Sequence, residues 1–228
     1  MIIDVSSSEW SVRRMVGDVG SIASAVLVVG VSFGALASEV GLPAWLVIAL
    51  AVAVLAASAE LMFIASILAG AAPLAAAAGA LLVNLRNGVY GIAASRFLHR
   101  GWTRLLAAHF VNDETVAYAS AQHDSPRRRR AFWVLGWAIL LSWPAGAAIG
   151  VLLGRALTDV SALGLDAVFP AILFAMVLGA VRSKHAAIIV ACGVLLAVAV
   201  TPFVPPGVAP LAALVSLGLG WKRGSQRD

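Results

Sequence analysis

Long apolar runs, broken only by short clusters of charge, are the feature that most constrains how this chain folds. The chain is 61% hydrophobic and its mean hydropathy is +0.97, far above the range of water-soluble domains. A helix that crosses a bilayer needs about 20 apolar residues, so the sequence predicts an all-α, polytopic membrane helix bundle of about seven or eight helical segments. The predicted segments are residues 20–38, 44–72, 75–95, 105–121, 131–154, 167–182, 185–202 and 207–222.

Charged residues at both ends of the chain mark the limits of this bundle. We predict a cytoplasmic or interfacial segment over residues 1–19, a single transmembrane domain over 20–222 and a cytoplasmic tail over 223–228. Acidic residues precede the first apolar run, unlike the pattern of a cleaved signal peptide. The net charge of +5 is explained by basic loops that face the cytoplasm and anionic lipid. We therefore predict a protein of the cell (inner) membrane, with the lipid bilayer and no nucleic acid as a partner.

The basic clusters test the helix count, because Lys and Arg accumulate on the cytoplasmic side of a membrane. If all the clusters and both termini are cytoplasmic, one helix over 20–38 ends outside, and two further full crossings leave residues 96–104 outside as well. At least one apolar segment in the first half of the chain therefore does not cross the membrane as a single continuous helix. We predict that residues 44–72, around Ser58-Ala59-Glu60, and residues 105–121 are broken or re-entrant. The alternative is that one basic cluster faces out.

A guanidinium and two amides lie together within an otherwise apolar stretch, in the sequence Asn84-Leu85-Arg86-Asn87-Gly88-Val89-Tyr90-Gly91. An Arg near hydrocarbon is costly unless it faces a bundle interior or a polar cavity, which makes it a candidate functional residue. Arg86 is suited to bind a carboxylate through its planar fork. Glu60 lies deep in its apolar run and is suited to exchange a proton or bind an ammonium group. The structural alternative is an Arg86–Glu60 ion pair that holds two segments together.

Broken helices favour the same kind of site, because backbone groups freed within a membrane are tolerated where they line a cavity. The N-terminus of a half-helix attracts a carboxylate, and nearby carbonyls and carboxylates attract an ammonium group. Such a cavity is suited to a zwitterion. In the segment 105–121, Asp113 and Glu114 are adjacent and project about 100° apart on a helix. We therefore expect one of them to face the cavity and the other an interface. We predict no metal site and no cofactor.

Glycines at every fourth position, Gly146, Gly150 and Gly154, predict a close helix–helix contact. This contact lies either within the chain or with a partner subunit.

Several short motifs, in order along the chain, resemble those of the AzlC type of branched-chain amino-acid permease, also called YgaZ or BrnF. They are Phe33-Gly34-Ala35-Leu36-Ala37, Asn84-Leu85-Arg86 with Tyr90-Gly91, Asn112-Asp113-Glu114, and Gly164-Leu165-Asp166 followed by Phe169-Pro170-Ala171. The resemblance implies an exporter that works with a small membrane partner of AzlD type. Two positions depart from the family pattern: Ala57-Ser58-Ala59-Glu60 stands where Gly-Ala-Ser-Gln is usual, and Asn87 stands where a His is usual.

The preferred function is a secondary transporter that exports branched-chain or other small neutral amino acids. The sequence has no nucleotide-binding loop, so the energy is expected from an ion gradient. The alternatives are an intramembrane enzyme that uses Glu60, His109 and Asp113, or an accessory structural subunit. The candidate substrate-binding or proton-coupling residues are Ser58, Glu60, Asn84, Arg86, Asn87, Tyr90, Asp113 and Glu114.

Overall fold

A computed structural model of the protein describes residues 12–98, 101–156, 183–204 and 212–217, and the single positions 164, 167, 171, 174, 177, 178 and 181. The regular elements in these residues are helical, which confirms the all-α membrane bundle. The helices are α1 Val12–Glu39, α2 Ala44–Ala53, α3 Ala57–Leu68, α4 Pro73–Asn84, α5 Arg86–Ala94, α6 Thr103–His109, α7 Asp113–Ser120, α8 Ser125–Ala156 and α9 Lys184–Val200. A 3₁₀ turn over Thr201–Phe203 continues α9, and another covers Ala213–Leu217.

Three of these helices are long and apolar enough to cross a membrane, at Arg13–Glu39, Ser125–Ala156 and Lys184–Phe203. The first two begin six to eight residues before the apolar segments predicted for them, because their first turns are charged. More than half of each of the predicted segments 167–182 and 207–222 lies outside the described residues, as does most of the motif at 164–171.

Helices α1 and α8 lie side by side and run in the same direction. There is no room for a Cβ atom at Gly146 beside the carbonyl of Leu27, nor at Gly150 beside the carbonyl of Val31. The contact advances four residues on both helices at each step, which is the register of a parallel pair. The predicted glycine contact is therefore confirmed and lies within the chain. Residues 13–14 and 127–130 consequently share one end of the bundle, here named the basic end, and the opposite end is named the far end.

Helices α2 and α3 form the first hairpin, residues 44–68, which enters from the far end and returns to it. A tight turn at Gly41, with φ of 80°, follows α1 and sends α2 back along α8. The helix stops at Ala53, and Leu55 adopts a left-handed φ of 48°. Helix α3 then begins at Ala57 and packs beside α4.

The path of α4 and α5 shows which way α3 runs. The two helices are nearly continuous, since the N–H of Leu85 bonds to Leu81 O and that of Gly88 bonds to Leu85 O. Beyond α5, the ring of Phe97 packs against Phe132, 6.1 Å between centroids, close to the basic end. Helices α4 and α5 therefore run from the far end to the basic end. Helix α3, joined to α4 by a four-residue loop, runs back to the far end.

Helices α6 and α7 form the second hairpin, residues 103–120, which enters from the basic end and returns to it. Its tip at Phe110 packs against the rings of Trp133 and Trp137, 5.6 and 5.0 Å between centroids, partway along α8. Its last helix returns to the start of α1, where the hydroxyl of Tyr118 donates to Asp18, 3.3 Å away. The predicted breaks in 44–72 and 105–121 are thus present. The predicted single helix over 75–95 is wrong in detail, because Leu85 interrupts it.

Candidate functional site

The tips of the two hairpins meet at a cavity of about 230 Å³. The cavity is closed on one side by the apolar faces of α1 and α8 and on the other by the polar residues of the tips and of the α4–α5 junction. Its lining residues are Ile22, Ala25, Val26, Val29, Leu55, Ala56, Ala57, Ser58, Arg86, Asn87, Asn112, Asp113, Glu114, Ile139 and Trp143. Three helices, α3, α5 and α7, begin at this cavity. The positive ends of the α3 and α7 dipoles therefore point toward it, whereas α5 nearly continues α4 and has no such separate start.

Glu60 secures the tip of the first hairpin from behind. Its carboxylate accepts a hydrogen bond from the backbone N–H of Ala56, 3.0 Å from Oε1, and another from the indole of Trp143, 3.1 Å from Oε2. The side chain is 3% exposed, and Glu60 is not among the cavity-lining residues. The carboxylate thus satisfies a free N–H at the start of α3 and joins the hairpin to α8. The break lies at residues 54–56, slightly before the predicted position.

The tip of the second hairpin is fixed by a capping box. Asn112 precedes α7 and accepts the backbone N–H of Thr115, while the Thr115 hydroxyl accepts the N–H of Asn112. The same hydroxyl donates to the carbonyl of Phe110, 2.7 Å away. These bonds satisfy backbone groups that the break leaves free. The bonds within the tip hold the first turn of α7 against the cavity.

Asp113 and Glu114 both line the cavity. The expectation that only one of them faces it is wrong, because α7 presents its end to the cavity. Residues of a first turn surround the helix axis, so they border such a space together even though they project in different directions.

Arg86 connects the two tips across the mouth of the cavity. Its Nη2 donates to the hydroxyl of Ser58, 2.6 Å away, and lies 3.6 Å from Oδ1 of Asp113. The alternative pairing of Arg86 with Glu60 is therefore not formed. The side chain of Arg86 remains 40% exposed, so the cavity is open on this side in the described part of the chain.

Asn87 offers the cavity a hydrogen-bond acceptor. Its amide Nδ2 donates to Oδ1 of Asn84, 2.8 Å away. Its own Oδ1 is buried and has no hydrogen-bond partner among the described residues. Buried polar atoms are normally satisfied in folded proteins. Within the described part of the chain, this oxygen is therefore an unpaired acceptor on a residue that lines the cavity.

The structure thus divides the eight candidate residues into two groups. Five of them line the cavity: Ser58, Arg86, Asn87, Asp113 and Glu114. The other three stand behind it, since Asn84 orients Asn87, Glu60 secures a tip and Tyr90 packs against the apolar core. Of the residues named for an enzyme, Glu60 and His109 are not among the lining residues.

Sequence reasoning did not name Asn112, Trp143 or the apolar wall of α1 as site residues. Asn112 had a recognisable signal, since Asn followed by Thr three residues later, just before a helix, is an N-cap pattern. The wall residues Ile22, Val26 and Val29 follow a spacing of four and three, which marks one face of a helix. In an apolar span that spacing does not distinguish a cavity wall from a packing face. Trp143 had no signal in the sequence.

Half-helices that break around a polar cavity midway along a membrane bundle are a feature of many membrane transporters. The family model described as AzlC protein matches residues 21–157, from near the start of α1 through the end of α8. The chain belongs to the AzlC family. This family is associated with branched-chain amino acid transport, so the chain is a membrane transporter with a hydrophobic amino acid as its general substrate. Searches of curated proteins and of solved structures gave no match.

Proposed function

We propose that the protein exports branched-chain or other small neutral amino acids and holds them in the cavity between the two hairpin tips. The observation that carries this proposal is the division of the cavity into a charged face and an apolar face. Arg86, Asp113 and Glu114 lie on the first, and the apolar wall of α1 lies on the second. A neutral amino acid has the same division, with a zwitterionic end and an apolar side chain.

The substrate carboxylate binds Arg86 and the free N–H groups at the start of α3, in this proposal. A guanidinium and a helix N-terminus both favour an anion, and the guanidinium can bind a carboxylate through two parallel hydrogen bonds. Ser58, which already accepts from Arg86, lies at the same place. The substrate then replaces water rather than a buried ion pair, because the Arg86–Asp113 contact is long and partly exposed.

The substrate ammonium binds beside the carboxylate on the same charged face, at Asp113, Glu114 and Oδ1 of Asn87. Two carboxyl groups and one free amide oxygen supply acceptors for its three N–H donors. The substrate side chain packs along Val26 and Val29 of α1 and against Trp143 of α8, which form an apolar surface without charged groups.

An ion gradient drives this transport, in our proposal, because the sequence contains no nucleotide-binding loop. The protein spans the cell (inner) membrane with its transport domain at residues 20–222, and both the 1–19 segment and the 223–228 tail are cytoplasmic. The shared basic end supports this orientation, since residues 13–14, 96 and 127–130 lie together there and basic residues favour the cytoplasmic side.

A small membrane subunit of AzlD type covers the open side of the cavity, in our proposal. Arg86 is 40% exposed there, in the middle of the bundle, and exposed apolar side chains surround it at Leu85 and Val89. A guanidinium at that depth is costly against lipid tails, so another polypeptide segment is needed beside it. A small helical subunit satisfies the charge and covers the neighbouring apolar surface.

The test is uptake of labelled leucine by liposomes that contain the full chain, with and without the small subunit, under a proton gradient. We expect Arg86→Ala and Asp113→Asn each to reduce uptake at least about tenfold, because each removes a charged contact to the substrate. The matched control is Arg96→Ala, which removes a similar charge from an exposed position at the end of α5. It should leave uptake unchanged. Full uptake by the Arg86 and Asp113 variants would exclude this cavity as the binding site.

A further inference from the structure

Glu60 is a buried carboxylate that the proposed binding site does not use. Its side chain is 3% exposed, and it does not line the cavity. Both of its hydrogen-bond donors are neutral groups, the Ala56 N–H and the Trp143 indole. A carboxylate kept in such surroundings needs a reason, because an apolar residue of similar size packs as well without the desolvation cost.

The two donors belong to opposite walls of the cavity. Ala56 lies in the tip of the first hairpin, and Trp143 lies in α8, where its ring stacks on Phe33 with centroids 5.4 Å apart. Both residues also line the cavity. Glu60 is therefore a hydrogen-bonded link between the end of the first hairpin and the wall that faces it across the cavity.

The tip that Glu60 holds is under backbone strain. Leu55 has a φ of 48°, a left-handed conformation that is unfavourable for a residue with a branched, bulky side chain. Such a conformation persists when neighbouring contacts fix it. Three contacts fix it here: the Leu55 side chain is buried in the apolar core, the Val54 N–H bonds to Leu50 O, and the Ala56 N–H bonds to Glu60. If the bond to Glu60 is lost, the backbone at Leu55 is less constrained.

We propose that Glu60 is a positioning residue of transport, whose carboxylate latches the tip of the first hairpin to α8 and releases it on taking up a proton. The proton adds to one carboxylate oxygen and makes it a hydroxyl. The hydroxyl oxygen is a weaker acceptor than a carboxylate oxygen, and its own O–H competes for the space of the N–H that it faces, so that hydrogen bond is weakened. The proton leaves again when the latch closes. This inference deepens the proposed function and rests on it.

Other ionisable groups near α3 lie elsewhere on their helices. Helices α2 and α4 carry none. Those of α1 and α8 lie toward the helix ends, at residues 13, 14, 18 and 39 and at residues 127–130 and 155. Arg86, Asp113 and Glu114 line the cavity, and Arg86 contacts Asp113 there. Among the residues that the structure describes, Glu60 is thus the ionisable group placed between the tip and α8.

The experiment measures opening of the latch without any substrate. Ala59, 3% exposed and next to Glu60, is replaced by Cys in a Cys192→Ser background. Alkylation by a small water-soluble maleimide is then followed between pH 5 and 9 for the full chain in liposomes. Each rate is divided by that of a Ser95→Cys reference, an exposed position, to remove the pH dependence of the thiol itself. The normalised rate should rise as the pH falls.

Two variants separate the latch from a merely structural role. Glu60→Gln cannot accept both donors at any pH, so its normalised rate should be high and flat, about tenfold above the wild type at high pH. Trp143→Phe removes the indole donor and should raise the rate less. Trp137→Phe, the same change on the same helix without a bond to Glu60, should leave it unchanged.

A flat profile in the wild type, or an equal pH response in Glu60→Gln, would overturn the latch. If leucine transport persists in that case, the proposed function still stands. If instead the alkylation rates follow these expectations while the chain does not transport leucine, that result supports the latch and excludes leucine as the substrate.

Discussion

Arg86 and Asp113 face each other across the cavity mouth, with Nη2 and Oδ1 3.6 Å apart and side chains 40% and 22% exposed. This pair joins the α4–α5 junction to the second hairpin. A second pair, Arg127 with Asp124, is shorter at 3.1 Å but lies at the start of α8 with both side chains more than a third exposed. A comparison of the two pairs separates two effects on the strength of an ion pair: its location in the fold and its N–O distance.

A double-mutant cycle on Arg86→Ala and Asp113→Ala should give a coupling free energy of unfolding of about 1 kcal/mol, because the pair is partly shielded from water. The same cycle on Arg127 and Asp124 should give about 0.3 kcal/mol, as expected for an exposed pair at the start of a helix. Thermal unfolding in detergent at low and high salt measures both. Equal coupling in the two cycles would show that the cavity does not shield the first pair.

The glycines between α1 and α8 should tolerate no side chain. Gly150→Ala places a methyl group against the carbonyl of Val31, so α1 and α8 must separate, at a cost of about 3 kcal/mol, the upper end of the usual range for overpacking. The control is Gly17→Ala on an open face of α1. It should be neutral or stabilise the helix by up to about 1 kcal/mol. The measurement is the melting temperature of each variant in detergent. Equal melting temperatures for the two variants would contradict the parallel register of α1 and α8.

The capping box should support both stability and substrate binding. Asn112→Ala should lower the free energy of unfolding by about 1 kcal/mol through loss of the N-cap, and should also weaken leucine binding because the tip lines the cavity. Ser183→Ala removes the N-cap of α9, where the side chain accepts the N–H of Ala186. It should cost a similar stability without any change in leucine affinity. Equilibrium binding and thermal melting, measured on the same samples, separate the two effects.

The apolar wall of α1 should set the size of the substrate. Val29 is 8% exposed and lines the cavity, whereas its neighbour Val28 is 50% exposed and does not. Val29→Phe should reduce the affinity for leucine more than that for alanine, because the larger ring occupies the side-chain space. Val28→Phe should change neither. Competition by unlabelled alanine, valine and leucine measures the order of preference, and an unchanged order in Val29→Phe would place the side chain elsewhere.

The long-range architecture was predictable from charge and hydropathy. Glu60 in a long apolar run and Asn112 in a short one both signalled interruptions, since charged and amide groups are costly in an unbroken membrane helix. The requirement for a common basic end then indicated that both interrupted segments return to their own side. The structure agrees on both points.

The local details were not predictable. The break at Val54, Leu55 and Ala56 contains no Gly or Pro, because the contact that stabilises it comes from Glu60 four residues later and from Trp143 in a distant helix. Arg86 and Glu60 seemed a natural pair as isolated opposite charges. In the fold, the indole of Trp143 donates a hydrogen bond to Glu60, and Arg86 contacts Asp113 instead. Partner choice of this kind depends on tertiary packing that sequence spacing does not encode.

Helices α1 and α8 pack too closely to admit a methyl group between them, so we expect them to form one rigid body against which the rest of the molecule moves. Neither helix can slide past the other, since at successive turns a glycine brings the backbone of one helix against a carbonyl of the other. A rocking motion of two rigid halves about the α1–α8 contact would require these glycine contacts to break. We therefore expect solute to advance by small swings of the two inward-reaching tips, with the long paired helices standing still.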